Sequence, residues 1–68
     1  MDVVAQLAKN MRRVRNDLGL SQEEVAFRAG MKRSYLTDLE GSKRNPTVRA
    51  LGRLAEALGV TPASLLED

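Results

Sequence analysis

Apolar residues recur along this chain at helical intervals. Leu7, Met11, Val14 and Leu18 are spaced by four, three and four residues, which is one stripe of an α-helix. Lys9, Arg12, Arg13 and Asn16 lie off that stripe, and a helix over about 3–18 is predicted, ended by Gly19 in a left-handed closing conformation. Ser21 is a good N-cap for the next element. Glu24 stands three residues later, placed to reach back to the cap's amide as a capping box, while Leu20 and Val25 can staple across it. A second helix over about 22–29 follows. A third is predicted over about 33–40, with Leu36 and Leu39 inward and Arg33, Ser34, Thr37 and Asp38 on the opposite face. Lys32 is a poor cap, so the start of this helix is soft by a residue or two.

The stretch "GSKRNP", residues 41–46, is a loop of turn formers and positive charge. Thr47 can cap a fourth helix over about 48–58, whose stripe is Val48, Leu51, Leu54, Ala55 and Leu58, and Gly59 stops it. Thr61 and Pro62 open a short fifth helix, 62–66, with proline at the first helical position and Leu65 and Leu66 as its apolar residues. No segment alternates as a strand would. The expected class is all-α, a single domain over 1–68.

Gly30 breaks the chain between two short helices, where a glycine costs helix stability. Two helices meeting at about a right angle need a tight turn and a close approach. Gly30 supplies a positive φ that other residues adopt only at a cost, and the small Ala26 lets the third helix pass near the second. Val25, Ala29, Met31, Leu36 and Leu39 can bury the contact. This is a helix-turn-helix, which holds its second helix outward for the DNA major groove.

Composition narrows the chemistry. With no cysteine and no histidine, the chain lacks disulfides, thiolate metal sites and the commonest general base. No carboxylate pair suggests a catalytic cleft, so no enzyme, metal or cofactor is expected. The apolar runs fall far short of the ~20 residues that a membrane span needs, and no signal-peptide pattern opens the chain. A cytoplasmic setting is expected. Net charge is only +2, but the basic residues gather in the front and middle. Lys32, Arg33, Lys43, Arg44 and Arg49 face Asp38 and Glu40 within residues 32–49, whereas the last nineteen residues hold Arg53 alone against three acids. Such asymmetry fits a polyanion-binding face; a solvated surface is the plain alternative.

The stretch "LGLSQEEVAFRAGMKRSYLTDLEGSKRNPTVRALGRLAEALGV" resembles the helix-turn-helix domain of the lambdoid phage repressor and Cro family, the XRE-like regulators. Its marks are Ser21-Gln22-Glu23, Ala26, Gly30, "YLTDLE", "NPT" and "LAEALGV", in order and at family spacing, from about Leu7 to Leu66. "RSYLTDLE" and "KRNPT" are also similar to the controller regulators of restriction–modification systems. The resemblance implies a compact five-helix, lambda-repressor-like bundle that binds double-stranded DNA as a homodimer on an inverted repeat and regulates transcription in a bacterium or phage, at the nucleoid. No small-molecule ligand is expected, because the chain has no room for a ligand-binding domain.

Carried over residue by residue, the resemblance implies that Gln22 touches a phosphate at the start of helix 2. Arg33, Ser34, Thr37 and Asp38 match the base-reading surface, and Lys43, Arg44 and Asn45 match the loop that grips the next phosphates. Arg15 and Glu40 match a pair that fixes the reading helix on its scaffold. Chemically, Arg33 can donate two bonds to guanine, Thr37 offers a hydroxyl and a methyl, and Asp38 can accept from cytosine or orient Arg33 or a lysine. Lys32, Lys43 and Arg44 would neutralise phosphates without reading sequence, and the Tyr35 hydroxyl can reach one. Tyr35 and Phe27 are expected as partial core or rim. Glu23 and Glu24 lie where some relatives touch RNA polymerase, although the cap occupies Glu24. The rival reading is a protein-interaction module of antitoxin or co-regulator type on the same fold.

Overall fold

The computed structural model describes residues 2–68. Four α-helices and a terminal 3-10 turn follow one another: α1 Val3–Asp17, α2 Gln22–Ala29, α3 Arg33–Glu40, α4 Val48–Leu58, and the turn Ala63–Leu66. Three of the four α-helices start at a side-chain cap. Asp2 Oδ1 accepts from the amides of Val4 and Ala5 at 3.1 and 3.2 Å. Ser21 and Glu24 form the reciprocal capping box, both bonds being 3.0 Å, and Thr47 Oγ1 accepts from Ala50 at 3.0 Å. Only α3 lacks a side-chain cap, as Lys32 makes no such bond.

All four α-helices end in the same way. The chain reverses through paired bonds from the two residues beyond the helix to carbonyls in its last turn, the Schellman arrangement: Met31 to Ala26 and Gly30 to Phe27 after α2, for example, at 2.9 and 3.2 Å. Three of these ends place a glycine in the left-handed region, Gly30 at φ +68° among them. The fourth does not. After α3, Ser42 takes the left-handed position at φ +60°, with Ser42 bonded to Leu39 and Lys43 to Asp38. Gly41 precedes it, and a Cβ there would stand 3.3 Å from the Thr37 carbonyl oxygen.

Every helix contributes to one core. Leu7 and Met11 of α1, Val25 of α2, Leu36 and Leu39 of α3, Leu54 of α4 and Leu65 of the terminal turn are all buried. α3 packs on α1 and α2, α4 packs on α2, and the terminal turn packs on α1. The small Ala26 and Ala29 lie inside this contact, so α3 can approach α2 closely. Truncating one such leucine to alanine removes about 2–5 kcal/mol, a large share for so small a core.

The structure corrects four expectations. α1 stops at Asp17, with Leu18 in the cap and about half exposed. The fifth helix is a four-residue 3-10 turn, and Pro62 precedes it instead of opening it. Val48 is 88 % exposed although it lies on the apolar stripe of α4. Phe27 is 86 % exposed and belongs to no core or rim, because it points away from Val25, Ala26 and Ala29 on α2. Among the described residues no helix is long and apolar enough to cross a membrane.

Candidate nucleic-acid interface

Burying Leu36 and Leu39 turns the other side of α3 outward. Arg33, Ser34 and Thr37 are exposed and Asp38 is half-exposed. Lys32 at the head of the helix and Lys43, Arg44 and Asn45 beyond its end are exposed as well. Four cations thus stand with one carboxylate, Asp38, on and around this face. Glu40, the other acid of α3, is turned into the body, with its side chain 3 % exposed.

A chain of polar contacts braces α3 from beneath. Arg15 of α1 grips Glu40 with two parallel bonds, Nε to Oε2 at 2.8 Å and Nη2 to Oε1 at 3.0 Å. This fork geometry suits guanidinium and carboxylate, and it raises the Arg15 pKa above its ordinary value through the bond to Glu40. The same arginine donates from Nη1 to the Leu20 carbonyl at 3.0 Å, tying down the α1–α2 turn. Arg12 donates to the backbone carbonyl of Glu40, which satisfies an orphan acceptor at the end of α3. Gln22 then links scaffold to surface. Its Nε2 donates to Glu40 Oε1 at 3.1 Å, and its Oε1 accepts from the Thr37 hydroxyl at 3.1 Å. Since a carboxylate only accepts, Glu40 decides which way the Gln22 amide faces.

A second contact lies at the other edge. Reversal of the chain at Ser42 brings Arg44 back over α3. Its Cζ is 5.1 Å from the centroid of the Tyr35 ring, and its Nε is 4.0 Å from Asp38 Oδ2. Tyr35 is itself half-buried and packed against the core. Lys43 has no ion-pair partner among the described residues. Asn45 stands apart, at the rim of a groove lined by Val3, Val4, Pro46 and Leu51.

Several of these partners lay beyond the sequence reading. In the sequence Arg12 is an off-stripe charge with nothing to mark its bond to the Glu40 carbonyl. Asn10 is 4 % exposed, and its Nδ2 donates to the carbonyls of Leu65 and Glu67 at 2.9 and 2.7 Å, pinning the terminal turn to α1. A signal for it existed: Asn10 lies three residues after Leu7, on the buried side, and a polar residue there needs a partner.

Two short helices joined at a left-handed glycine, the second braced from below and polar on its free side, define a helix-turn-helix domain. Residues 11–65 match the family described as helix-turn-helix, and the chain belongs to that family of transcriptional regulators. It is 46 % identical over 66 residues to the HTH-type transcriptional regulator y4dJ of Sinorhizobium fredii, covering 97 % of this chain and 86 % of that one. It is 41 % identical to the control protein C.SmaI of Serratia marcescens, covering 97 % and 79 %. Among solved structures, the restriction–modification controller protein C.AhdI from Aeromonas hydrophila superposes with a TM-score of 0.88 at 35 % identity, covering 91 % of this chain and 94 % of that one.

Proposed function

We propose that this protein is a sequence-specific regulator that binds double-stranded DNA as a homodimer on an inverted repeat, with α3 in the major groove. The observation that carries the proposal is the pairing of a free polar face on α3 with a buried brace beneath it. A helix that reads bases must be held firmly, and Arg15, Glu40 and Gln22 hold this one at the level of Thr37. Arg33, Ser34, Thr37 and Asp38 read base edges. Gln22, Lys32, Tyr35, Lys43, Arg44 and Asn45 meet the phosphate backbone. One such helix reads only a few base pairs, so two-fold pairing with half-sites about one turn apart, ~34 Å, supplies the remaining contacts. Relatives named control protein and restriction–modification controller protein support a role in regulation, and a response to its own concentration through dimerisation is part of the proposal. Action on DNA places it in the cytoplasm, at the nucleoid.

Selection of bound sequences from a random duplex pool tests this. The expected result is a two-fold symmetric consensus, with Arg33→Ala abolishing preference while the fold persists. Binding without preference refutes the assignment, and preference retained in Arg33→Ala refutes the role of Arg33 as a reader. A second reading draws on Phe27, which is 86 % exposed on the same helix as Glu23. Such a residue suits a protein partner, RNA polymerase included, or an interaction module that does not bind DNA. Affinity for random duplex that falls steeply with salt favours the DNA reading, and its absence favours the module.

A further inference from the structure

Lys43 and Arg44 are neighbours in sequence, yet the structure gives them different work. Lys43 is solvated, without an ion-pair partner among the described residues. Arg44 is folded back on α3 by the left-handed turn at Ser42 and the bond from the Lys43 amide to the Asp38 carbonyl at 2.9 Å. There it meets Tyr35 and Asp38, which lie three residues apart on one ridge of the helix. Its Cζ lies over the Tyr35 ring, 5.1 Å from the centroid, and its Nε lies 4.0 Å from Asp38 Oδ2. Neither carboxylate oxygen has a hydrogen-bond partner among the described residues, and Oδ2 is the one that faces Arg44.

Resting on the DNA-reading function proposed above, we infer that Arg44 is a positioning residue that sets base selectivity through Asp38. A carboxylate on a face entering a groove walled by phosphates is repelled by them, and losing its water without a partner is costly. Arg44 removes both obstacles. It offsets the charge of Asp38 from the Oδ2 side, 4.0 Å away and without a hydrogen bond, and so favours the carboxylate orientation that offers an oxygen to a base amino group, of which cytosine offers one in the major groove. The Nη groups of Arg44 stay free to face the backbone. Stability is not what the contact supplies: with side chains 54 % and 41 % exposed, such a pair is weak. Its effect is to choose an orientation. Lysine could restore the charge but not the broad guanidinium that lies over the Tyr35 ring.

The test begins from the sequence selected by the wild type and measures affinity for every single-base variant of it. Arg44→Ala and Asp38→Asn should lose preference at the same base pair, each by roughly tenfold, and the double variant should lose no more than either alone. Arg44→Lys should keep overall affinity and lose the same preference. Lys43→Ala should weaken all sequences by one factor. In the free protein, the Tyr35 ring current should shift the side-chain proton resonances of Arg44 upfield. Uniform weakening by Arg44→Ala, or unshifted resonances, overturns the inference and leaves the DNA-reading function standing. A wild type without preference among duplexes overturns that function, and this inference with it.

Discussion

The brace beneath α3 permits a quantitative prediction. Glu40 is 3 % exposed and accepts three hydrogen bonds, two of them from Arg15. Arg15→Met removes those two donors while keeping an apolar stem, and leaves a buried carboxylate with Gln22 alone. Breaking a buried pair from one side costs about 3–5 kcal/mol. A chain of 68 residues has roughly 3–10 kcal/mol in total, at ~0.05–0.15 per residue. The variant should therefore lose a third of its stability or more, and its Tm should fall by at least about 12 °C. The double variant Arg15→Met with Glu40→Met carries no buried charge. Replacing both members of such a pair with apolar residues is neutral or stabilising, so its stability should return to within about 1 kcal/mol of the wild type. Its DNA selectivity should not return, because Gln22 has lost the acceptor that orients it toward Thr37. Urea and thermal unfolding followed by circular dichroism measure the first pair of outcomes, and duplex selection measures the last. If Arg15→Met costs under about 1 kcal/mol, the pair behaves as a surface contact and the reasoning fails. A double variant as unstable as the single one would locate the cost in lost packing instead of an unpaired charge.

Two smaller predictions concern the helix ends. Ser42→Gly should stabilise the protein: removing the side chain relieves a left-handed strain of ~1–2 kcal/mol, glycine's extra chain freedom takes back about 0.5–1, and Tm should rise by a few degrees; a fall would show that the Ser42 conformation carries no strain. Glu24 is held below its ordinary value of 4.5, first by the bond from the Ser21 amide and next by the Ser21 hydroxyl, with Arg28 adding to it. A carboxyl depressed on folding stabilises the native state above its unfolded pKa and ceases to do so as pH falls through the lower folded value. The stability gap between wild type and Glu24→Gln should be full at neutral pH and close as pH drops below about 4.5, and thermal melts across that range would expose a gap that stays constant.

What the sequence made legible is what depends on neighbours three or four residues apart. The capping box of Ser21 and Glu24, the glycine between α2 and α3 and the inward Leu36 and Leu39 all follow from such spacing, and with them the exposed face of α3. Val48 shows where the inference ends. A stripe reports the angle of a side chain around its helix, not whether another element reaches that height along the axis, and at the first turn of α4 none does. Phe27 sets position against residue type: it is two residues from both Val25 and Ala29, hence across the helix from them, and position prevails over the burial its aromatic ring suggests. The polar contacts divide in the same way. That Arg15 meets Glu40 was implied by family resemblance, since they are 25 residues apart and no local rule joins them. The Gln22 bridge and the return of Arg44 over Tyr35 depend on how α2 and the 41–46 loop lie against α3, which is a product of the whole core. The parts of the site that bear charge could therefore be read from the sequence, whereas the parts that orient it could not. In the proposed function selectivity belongs to the second set: a guanidinium or a hydroxyl discriminates between bases only when something else fixes where it points, and Glu40 and Gln22 orient the Thr37 hydroxyl while Arg44 lies over Tyr35.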